Sequence, residues 1–142
     1  MRALLDVNVL IALLDAAHVH HASARAWVEA NIDHGWASCP LTQNGCIRIQ
    51  SQPAYPGSQP PGAIAARLAD AAGTRWHAFW PDDLSLLESR CVDWRHLLGS
   101  RQLTDVYLLA LAVRRGGRLV TFDRAVPLAA VNNASKAHLL SI

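Results

Sequence analysis

Short apolar runs alternate with longer helical stretches along this chain, and no other feature constrains its fold as strongly. The runs lie at residues 2–5, 36–39, 76–80, 118–122 and 138–142, and each predicts a buried strand. Strands separated by helices favour a parallel sheet, because a parallel connection needs a long crossover. We therefore predict an α/β fold with a parallel central sheet flanked by helices on both faces.

Helical periodicity fills the intervals between these strands. Helices are predicted at residues 8–14, 21–31, 41–50, 61–72 and 103–115, and from Asp82 or Asp83 to about residue 92. The helix at 21–31 is predicted to carry one apolar stripe made of Ala22, Ala26, Trp27 and Ala30. In the helix at 103–115, Thr104 can cap the start, and Gly116 and Gly117 end it.

The size and composition suit a single domain over residues 1–142. The chain is 51% hydrophobic and 17% charged, and its length is enough for one core. The longest uninterrupted apolar stretch, at 9–14, is too short to span a bilayer, and no clean signal cleavage site follows it. We therefore expect a cytoplasmic protein with no membrane partner. The net charge of +2 neither requires nor excludes nucleic acid.

Several other features have plain structural explanations. The chain has an odd number of cysteines, Cys39, Cys46 and Cys91, and no C-x-x-C motif, so we predict buried free thiols. The proline-rich segment at 51–62 predicts a surface loop. His18 and His21 lack neighbouring zinc ligands, and we predict that they cap and pack the helix at 21–31. Apolar contexts predict core positions for Trp27, Trp76 and Trp80.

Aspartates follow two of the predicted strands. Asp6 comes directly after the run at 2–5, and Asp123 comes directly after the run at 118–122. In parallel α/β folds, ligand sites lie beyond the carboxyl ends of the strands. If the two strands are neighbours, both carboxylates lie at the same edge of the sheet.

A third aspartate, Asp105, lies in the first turn of the helix at 103–115. Asp105 shares one helical face with the apolar residues Leu109 and Ala112, so we predict that it faces the sheet. The helix dipole alone favours an acid in this turn. The dipole does not explain why the acid falls on the apolar face.

Together, the three aspartates predict a metal site. Carboxylates that lie close together raise each other's pKa unless a cation is present, and oxygen ligands suit Mg²⁺ or Mn²⁺. A divalent ion there can orient water for attack on a phosphodiester. Taken singly, each aspartate is also explained as a helix cap, a dipole partner or a turn residue. Asn8 and Thr121 can support the site by hydrogen bonding, although Asn8 can equally cap the first helix.

Three segments resemble a known family: "LLDVNVLIALLD", "CPLTQNGCIRI" and "LTDVYLLALAVRRGGRLVTFD". In this order they resemble the signature segments of PIN-domain ribonucleases, specifically VapC-type toxins of toxin–antitoxin pairs, across essentially the whole chain. The resemblance implies a Mg²⁺- or Mn²⁺-dependent endoribonuclease that cuts a structured RNA, such as tRNA or rRNA, and thereby inhibits translation and growth. It also implies a VapB-like antitoxin as partner, a homodimer, and Asp6, Asp105 and Asp123 as catalytic and metal-binding residues.

One segment departs from the family pattern. The family usually carries a glutamate in the helix after the second strand, whereas residues 40–48 contain no acid. Gln43 or Asn44 occupies that neighbourhood, and Asn44 is the candidate for a supporting role at the site. An amide can ligate through its oxygen or hold a water, but it carries no charge. Arg48, in the same segment, can contact phosphate, pair with an acid or simply lie on the surface.

The missing glutamate leaves a second function open. A PIN-like module with weak or no catalysis would bind only RNA or an antitoxin. Receiver domains and haloacid-type phosphatases are disfavoured on the residues themselves. The single lysine, Lys136, and the absence of an aspartate after the strand at 36–39 do not fit a receiver, and D-x-N after the first strand is not the D-x-D of the phosphatases.

Overall fold

A single parallel sheet organises the structure, a computed structural model that describes residues 1–88 and 90–142. Within these residues the strands are β1 (Ala3–Leu5), β2 (Trp36–Ser38), β3 (His77–Phe79), β4 (Arg118–Thr121) and β5 (Leu139–Ser141). Their order is β3-β2-β1-β4-β5, and every neighbouring pair is parallel. The predicted parallel sheet is confirmed, and β1 and β4 are neighbours at its centre.

The helices of the described residues connect these strands. They are α1 (Val7–Leu14), α2 (His21–Asn31), α3 (Pro40–Gln50), α4 (Pro61–Ala72) and α5 (Leu103–Arg114). Pro40 and Pro61 occupy first helical positions, where the missing N–H costs nothing. Gly116, with φ of 65°, supplies the left-handed turn that follows α5.

Helices cover both faces of the sheet, as predicted. Alternate residues of β1 point to opposite faces, so Ala3 and Leu5 pack with α1 while Leu4 packs with α5. The first face also receives α2, α3 and α4, through Ala24, Cys46 and Leu68. The second face is covered mainly by α5. The sheet is therefore held between two apolar cores, one on each face, and these cores fix the positions of the strand ends.

The predicted stripe on α2 is wrong. Ala22, Ala26 and Ala30 are exposed, and the inner face is formed by Ala24 with the half-buried Trp27 and Val28. The rotation of the helix is set by His21, whose Nδ1 lies 2.7 Å from the carbonyl oxygen of Ala12 on α1. His21 thereby packs α2 as predicted, in register with Ala24 and Val28. The predicted cap is wrong, because no side chain caps the start of α2.

The predicted helix from Asp82 or Asp83 to residue 92 is also wrong. Residues 82–88 and 90–91 form turns and irregular backbone, and Ser89 lies outside the described residues. Both candidate caps have other partners. Asp82 accepts a hydrogen bond from the backbone N–H of Leu41 in the first turn of α3, at 3.0 Å, and Asp83 pairs with Arg115 at 2.6 Å.

Thr104 does not cap α5, contrary to prediction. The short 3₁₀ helix Ser100–Gln102 leads directly into α5, and Gln102 holds the capping position without a side-chain bond to the helix. Thr104 is therefore inside the first turn. An extended residue ahead of the helix, which a side-chain cap requires, does not occur here.

The three cysteines are free thiols, as predicted, whereas Trp27 and Trp76, predicted as core residues, are only half-buried. Cys39, Cys46 and Cys91 are free; the first two are buried and the third is half-buried. Burial raises the pKa of Cys39 and of Cys46 to about 11. Across residues 1–88 and 90–142, the structure contains no helix with the length and apolarity that a bilayer crossing needs.

Candidate functional site

Asp6 lies at the carboxyl end of the central strand and is almost completely buried. Its carboxylate accepts two hydrogen bonds, from the backbone N–H of Val7 at 2.7 Å and from Oγ1 of Thr121 at 2.8 Å. Burial raises the pKa of Asp6, whereas these two hydrogen bonds lower it and the charge of Asp123 raises it further. One donor is the first residue of α1 and the other is the last residue of β4, and together they orient the carboxylate.

Thr121 links two of the predicted acids. The β1–β4 register places Leu5 beside Val120, so Asp6 falls level with Thr121 at the end of β4. The fully buried hydroxyl donates to Asp6 and accepts the backbone N–H of Asp123 at 3.0 Å. The structure therefore places Thr121 in contact with the acids, as its position in the strand predicted.

Asp105 lies in the first turn of α5 and is half-buried. Leu109 and Ala112, one and two turns further on, are fully buried, which confirms the predicted orientation of this face. The pKa of Asp105 is raised to about 6 by burial first, then by the charges of Asp6 and Asp123. No donor among the described residues hydrogen-bonds to its carboxylate, so nothing offsets this cost.

Asp123 lies at the same edge of the sheet but faces outward. β4 ends at Thr121, one residue earlier than predicted, and Asp123 is exposed. Its Oδ1 accepts the backbone N–H of Ala125 at 2.7 Å, which closes a local turn. Its charge nevertheless contributes to the raised pKa values of Asp6 and Asp105.

Asp6 and Asp105 line one cleft between α1, α3 and α5. The cleft has a volume of about 250 Å³, and its other polar lining residues are Asn8, Asn44, Arg48 and Thr104. Asn8 and Asn44 are both exposed there. Thr104, which the sequence predicts only as a cap, also lines the cleft, and its place beside Asp105 in the first turn of α5 is the signal for this position.

The structure separates the two amides that the sequence left as alternatives. Gln43 donates from Nε2 to Oγ of the buried Ser38 at 2.9 Å, and Ser38 also contacts His77 at 2.8 Å. Asn44 instead lines the cleft with Asp6 and Asp105. Of the two amides, Asn44 is therefore the one that borders the cleft.

A glycine allows α3 to approach the site. A Cβ atom on Gly45 would lie 2.8 Å from Cγ2 of Val7, at the contact between α1 and α3. Because Gly45 has no side chain, α1 and α3 pack closely at this contact, which borders the cleft lined by Asp6 and Asn44.

The chemistry of these donors fits a hydrated magnesium ion. Within residues 1–88 and 90–142, no three His, Cys, Asp or Glu side chains are close enough to enclose a metal together. Magnesium does not need such an enclosure, since it keeps several waters and binds one or two carboxylates. Asp6 and Asp105 supply two carboxylates in one cleft, and a cation there would offset the burial and repulsion that raise their pKa values.

Comparisons with known proteins agree with this architecture. Residues 3–132 match the PIN domain family. The ribonuclease VapC44 of Mycobacterium tuberculosis is 51% identical over 142 residues, which is all of both chains. Ribonuclease VapC39 of the same organism is 46% identical over 127 residues, 89% of this chain and 91% of that protein.

Two solved structures share the fold at low sequence identity. One is VapC20 of Mycobacterium tuberculosis, described as a toxin that cleaves the sarcin–ricin loop, with a TM-score of 0.62 at 13% identity, over 91% of this chain and 95% of that one. The other is VapBC2 of Rickettsia felis bound to a DNA fragment from their promoter, with a TM-score of 0.59 at 12% identity, over 87% and 89%. At these identities the likeness concerns the fold alone.

Proposed function

This chain belongs to the PIN-domain family, among its VapC-type ribonuclease toxins, and from that premise we propose that it hydrolyses RNA with a divalent ion held at Asp6 and Asp105. The observation that carries the proposal is the cleft that both carboxylates line, with neither of them in an ion pair among the described residues. The full-length relative at 51% identity is named a ribonuclease, which supports the same reaction class.

Some residues of the site would bind the ion, and others orient the side chains that bind it. Thr121 and the N–H of Val7 orient Asp6, and Asp105 faces it from the first turn of α5. Mg²⁺, or Mn²⁺ in its place, would orient water and offset the charge that develops on a phosphodiester. Asp123 contributes negative charge from outside the cleft and acts through water, because its own carboxylate closes a turn.

Asn44 takes the part usually played by a glutamate in this family. Its amide oxygen borders the cleft, where it can hold a water without adding charge. The ion is consequently held by fewer charges, and we expect weaker metal affinity than a third carboxylate in the cleft would give.

The substrate and partners follow from the family. We propose a structured RNA, such as tRNA or rRNA, as substrate, with inhibition of translation and growth as the result of cleavage. A VapB-like antitoxin is the expected partner, and the solved VapBC2 assembly supports it by analogy. A homodimer and a cytoplasmic location belong to the same proposal.

The competing function, a PIN-like module that binds RNA or antitoxin without cutting, has less support. Only the missing glutamate favours it. The cleft keeps two carboxylates, and the relatives that match most of this chain are named ribonucleases.

The test is metal-dependent cleavage of total cellular RNA by the purified protein, with Mg²⁺, Mn²⁺ or EDTA. Asp6→Asn and Asp105→Asn should abolish cleavage, and EDTA should do the same. Asp33→Asn is the matched control, because Asp33 is exposed and forms no ion pair among the described residues. Cleavage that persists in both site variants would contradict the site. No cleavage by the wild type with any metal would favour the binding module.

A further inference from the structure

Arg48 lies in the same cleft as the two acids. The residues of α3 that line the cleft are Leu41, Asn44, Gly45, Arg48 and Ile49, which form one helical face by their i, i+3, i+4, i+7 and i+8 spacing. Arg48 is one turn beyond Asn44, about 6 Å further along the helix. The contact of Gly45 with Val7 fixes the rotation of this face, so the long side chain starts at the cleft wall.

No acid of the chain neutralises Arg48 within residues 1–88 and 90–142. The ion pairs of these residues use Arg25, Arg95, His96, Arg114 and Arg115. Arg48 appears in none of them, and its side chain donates no hydrogen bond to another described residue. The guanidinium is exposed, so its five donors remain available to a ligand.

The cleft therefore combines two opposite charges that do not pair with each other. The carboxylates of Asp6 and Asp105 attract a cation, whereas Arg48 attracts an anion. A guanidinium matches the two oxygens of a phosphate in a planar, bidentate contact. An RNA strand presents a series of phosphates, and it can place one of them at the acids and a neighbouring one at Arg48.

We propose that Arg48 binds an RNA phosphate next to the one that is cut, so that the strand runs along the cleft-facing side of α3. The inference rests on the proposed function, since it assigns a substrate contact within the same site. Arg48 adds affinity and fixes the direction in which the backbone crosses the acids. It takes no part in the chemical step.

The first experiment measures RNA binding without cleavage. The protein carries Asp105→Asn and is kept in EDTA, and the probe is a labelled pool of single-stranded oligoribonucleotides of random sequence. Arg48→Gln and Arg48→Lys are compared with Arg75→Gln. Arg75 is the matched control because it is exposed, makes no ion pair among the described residues and precedes β3, which places it at the opposite edge of the sheet.

We expect Arg48→Gln to weaken binding about three- to tenfold at low salt and to flatten the logarithmic salt dependence by about 0.7, the loss of one contact to a single strand. Arg48→Lys should keep the salt dependence, because its ammonium still contacts phosphate as a point charge. Arg75→Gln should change neither quantity. Because both arginines are exposed, neither substitution should disturb folding, and circular dichroism spectra of the variants check that the secondary structure is unchanged.

The second experiment separates this inference from the proposed function. With Asp105 intact and metal present, Arg48→Gln should raise KM and leave kcat unchanged, the pattern of lost uniform binding. If the wild type cuts no RNA, the proposed function fails, but the binding comparison still tests Arg48. Equal affinity and equal salt dependence for Arg48→Gln and Arg75→Gln would overturn the inference and assign Arg48 to another ligand, such as a protein partner. An absence of RNA binding by the parent protein would overturn it as well.

Discussion

Replacing Asp105 with asparagine should stabilise the metal-free protein. Asparagine has nearly the same shape, and no hydrogen bond among the described residues is lost. The pKa of Asp105 rises from 3.8 to about 6 on folding, which corresponds to roughly 3 kcal/mol against the ionised form. Because the side chain is half-exposed, solvent screening reduces the expected gain to about 1–1.5 kcal/mol.

The direction of the pH dependence follows from the raised pKa. Below 3.8 the carboxyl is protonated in both the folded and the unfolded protein, so the substitution changes little. As the pH rises through about 6, the unfolded protein holds an ionised carboxylate at no cost, while the folded protein pays for ionisation. The advantage of Asp105→Asn should therefore develop across this interval and stay constant above it.

Thermal unfolding in EDTA measures this effect at acidic and at mildly alkaline pH. We expect the melting temperature of Asp105→Asn to exceed that of the wild type by about 3–6 °C at alkaline pH. Asp33→Asn serves as the control for net charge. Excess Mg²⁺ should narrow the difference, because only the wild type offers both carboxylates to the ion. A variant that is no more stable than the wild type in EDTA at alkaline pH would refute the reasoning.

Three further substitutions test other parts of the site. Thr121→Val removes the hydroxyl that orients Asp6 and should lower kcat/KM about 10–100-fold. Thr121→Ser should restore most of the activity. Equal losses in both variants would argue against a role for the hydroxyl. Gly45→Ala should cost about 1–3 kcal/mol in urea unfolding, because the new methyl group meets Val7, and a second substitution, Val7→Ala, should recover it. Asn44→Glu should tighten Mn²⁺ binding about five- to tenfold in calorimetry by adding a charge to the cleft. Gln43→Glu should not, and tighter binding by that variant instead would contradict the assignment of Asn44.

Periodicity predicted the positions of Asp6, Thr121 and Asp105 because they lie on or directly after regular elements, whereas Asp123, beyond the end of β4, faces outward. Asp6 and Thr121 follow from the alternation of strand residues and from the pairing of two parallel strands, which brings them level. The inward orientation of Asp105 follows from the 3.6-residue period of α5, because Asp105 shares a helical face with the buried residues Leu109 and Ala112. Strand alternation and helical period were sufficient in each case, because a strand or helix that buries a continuous apolar face can take only one orientation.

Features that depend on distant contacts were not predictable in this way. The choice between Gln43 and Asn44 depends on the rotation of α3, and the contact of Gly45 with Val7 sets that rotation. The helix expected after Asp82 is absent from the described residues because this carboxylate serves α3 instead. Such a partner, 41 positions away, leaves no mark on the local sequence.

The hydrogen bond between Thr121 and Asp6 spans 115 positions of the chain, and this has a consequence for synthesis. A ribosome makes the first aspartate early but makes β4 only after most of the protein has emerged, at about 5–20 residues per second. Because β4 also pairs with the central strand, an unfinished chain lacks both the assembled cleft and a complete sheet. We therefore expect cleavage activity to require synthesis of β4, and a fragment that ends before β4 to be inactive.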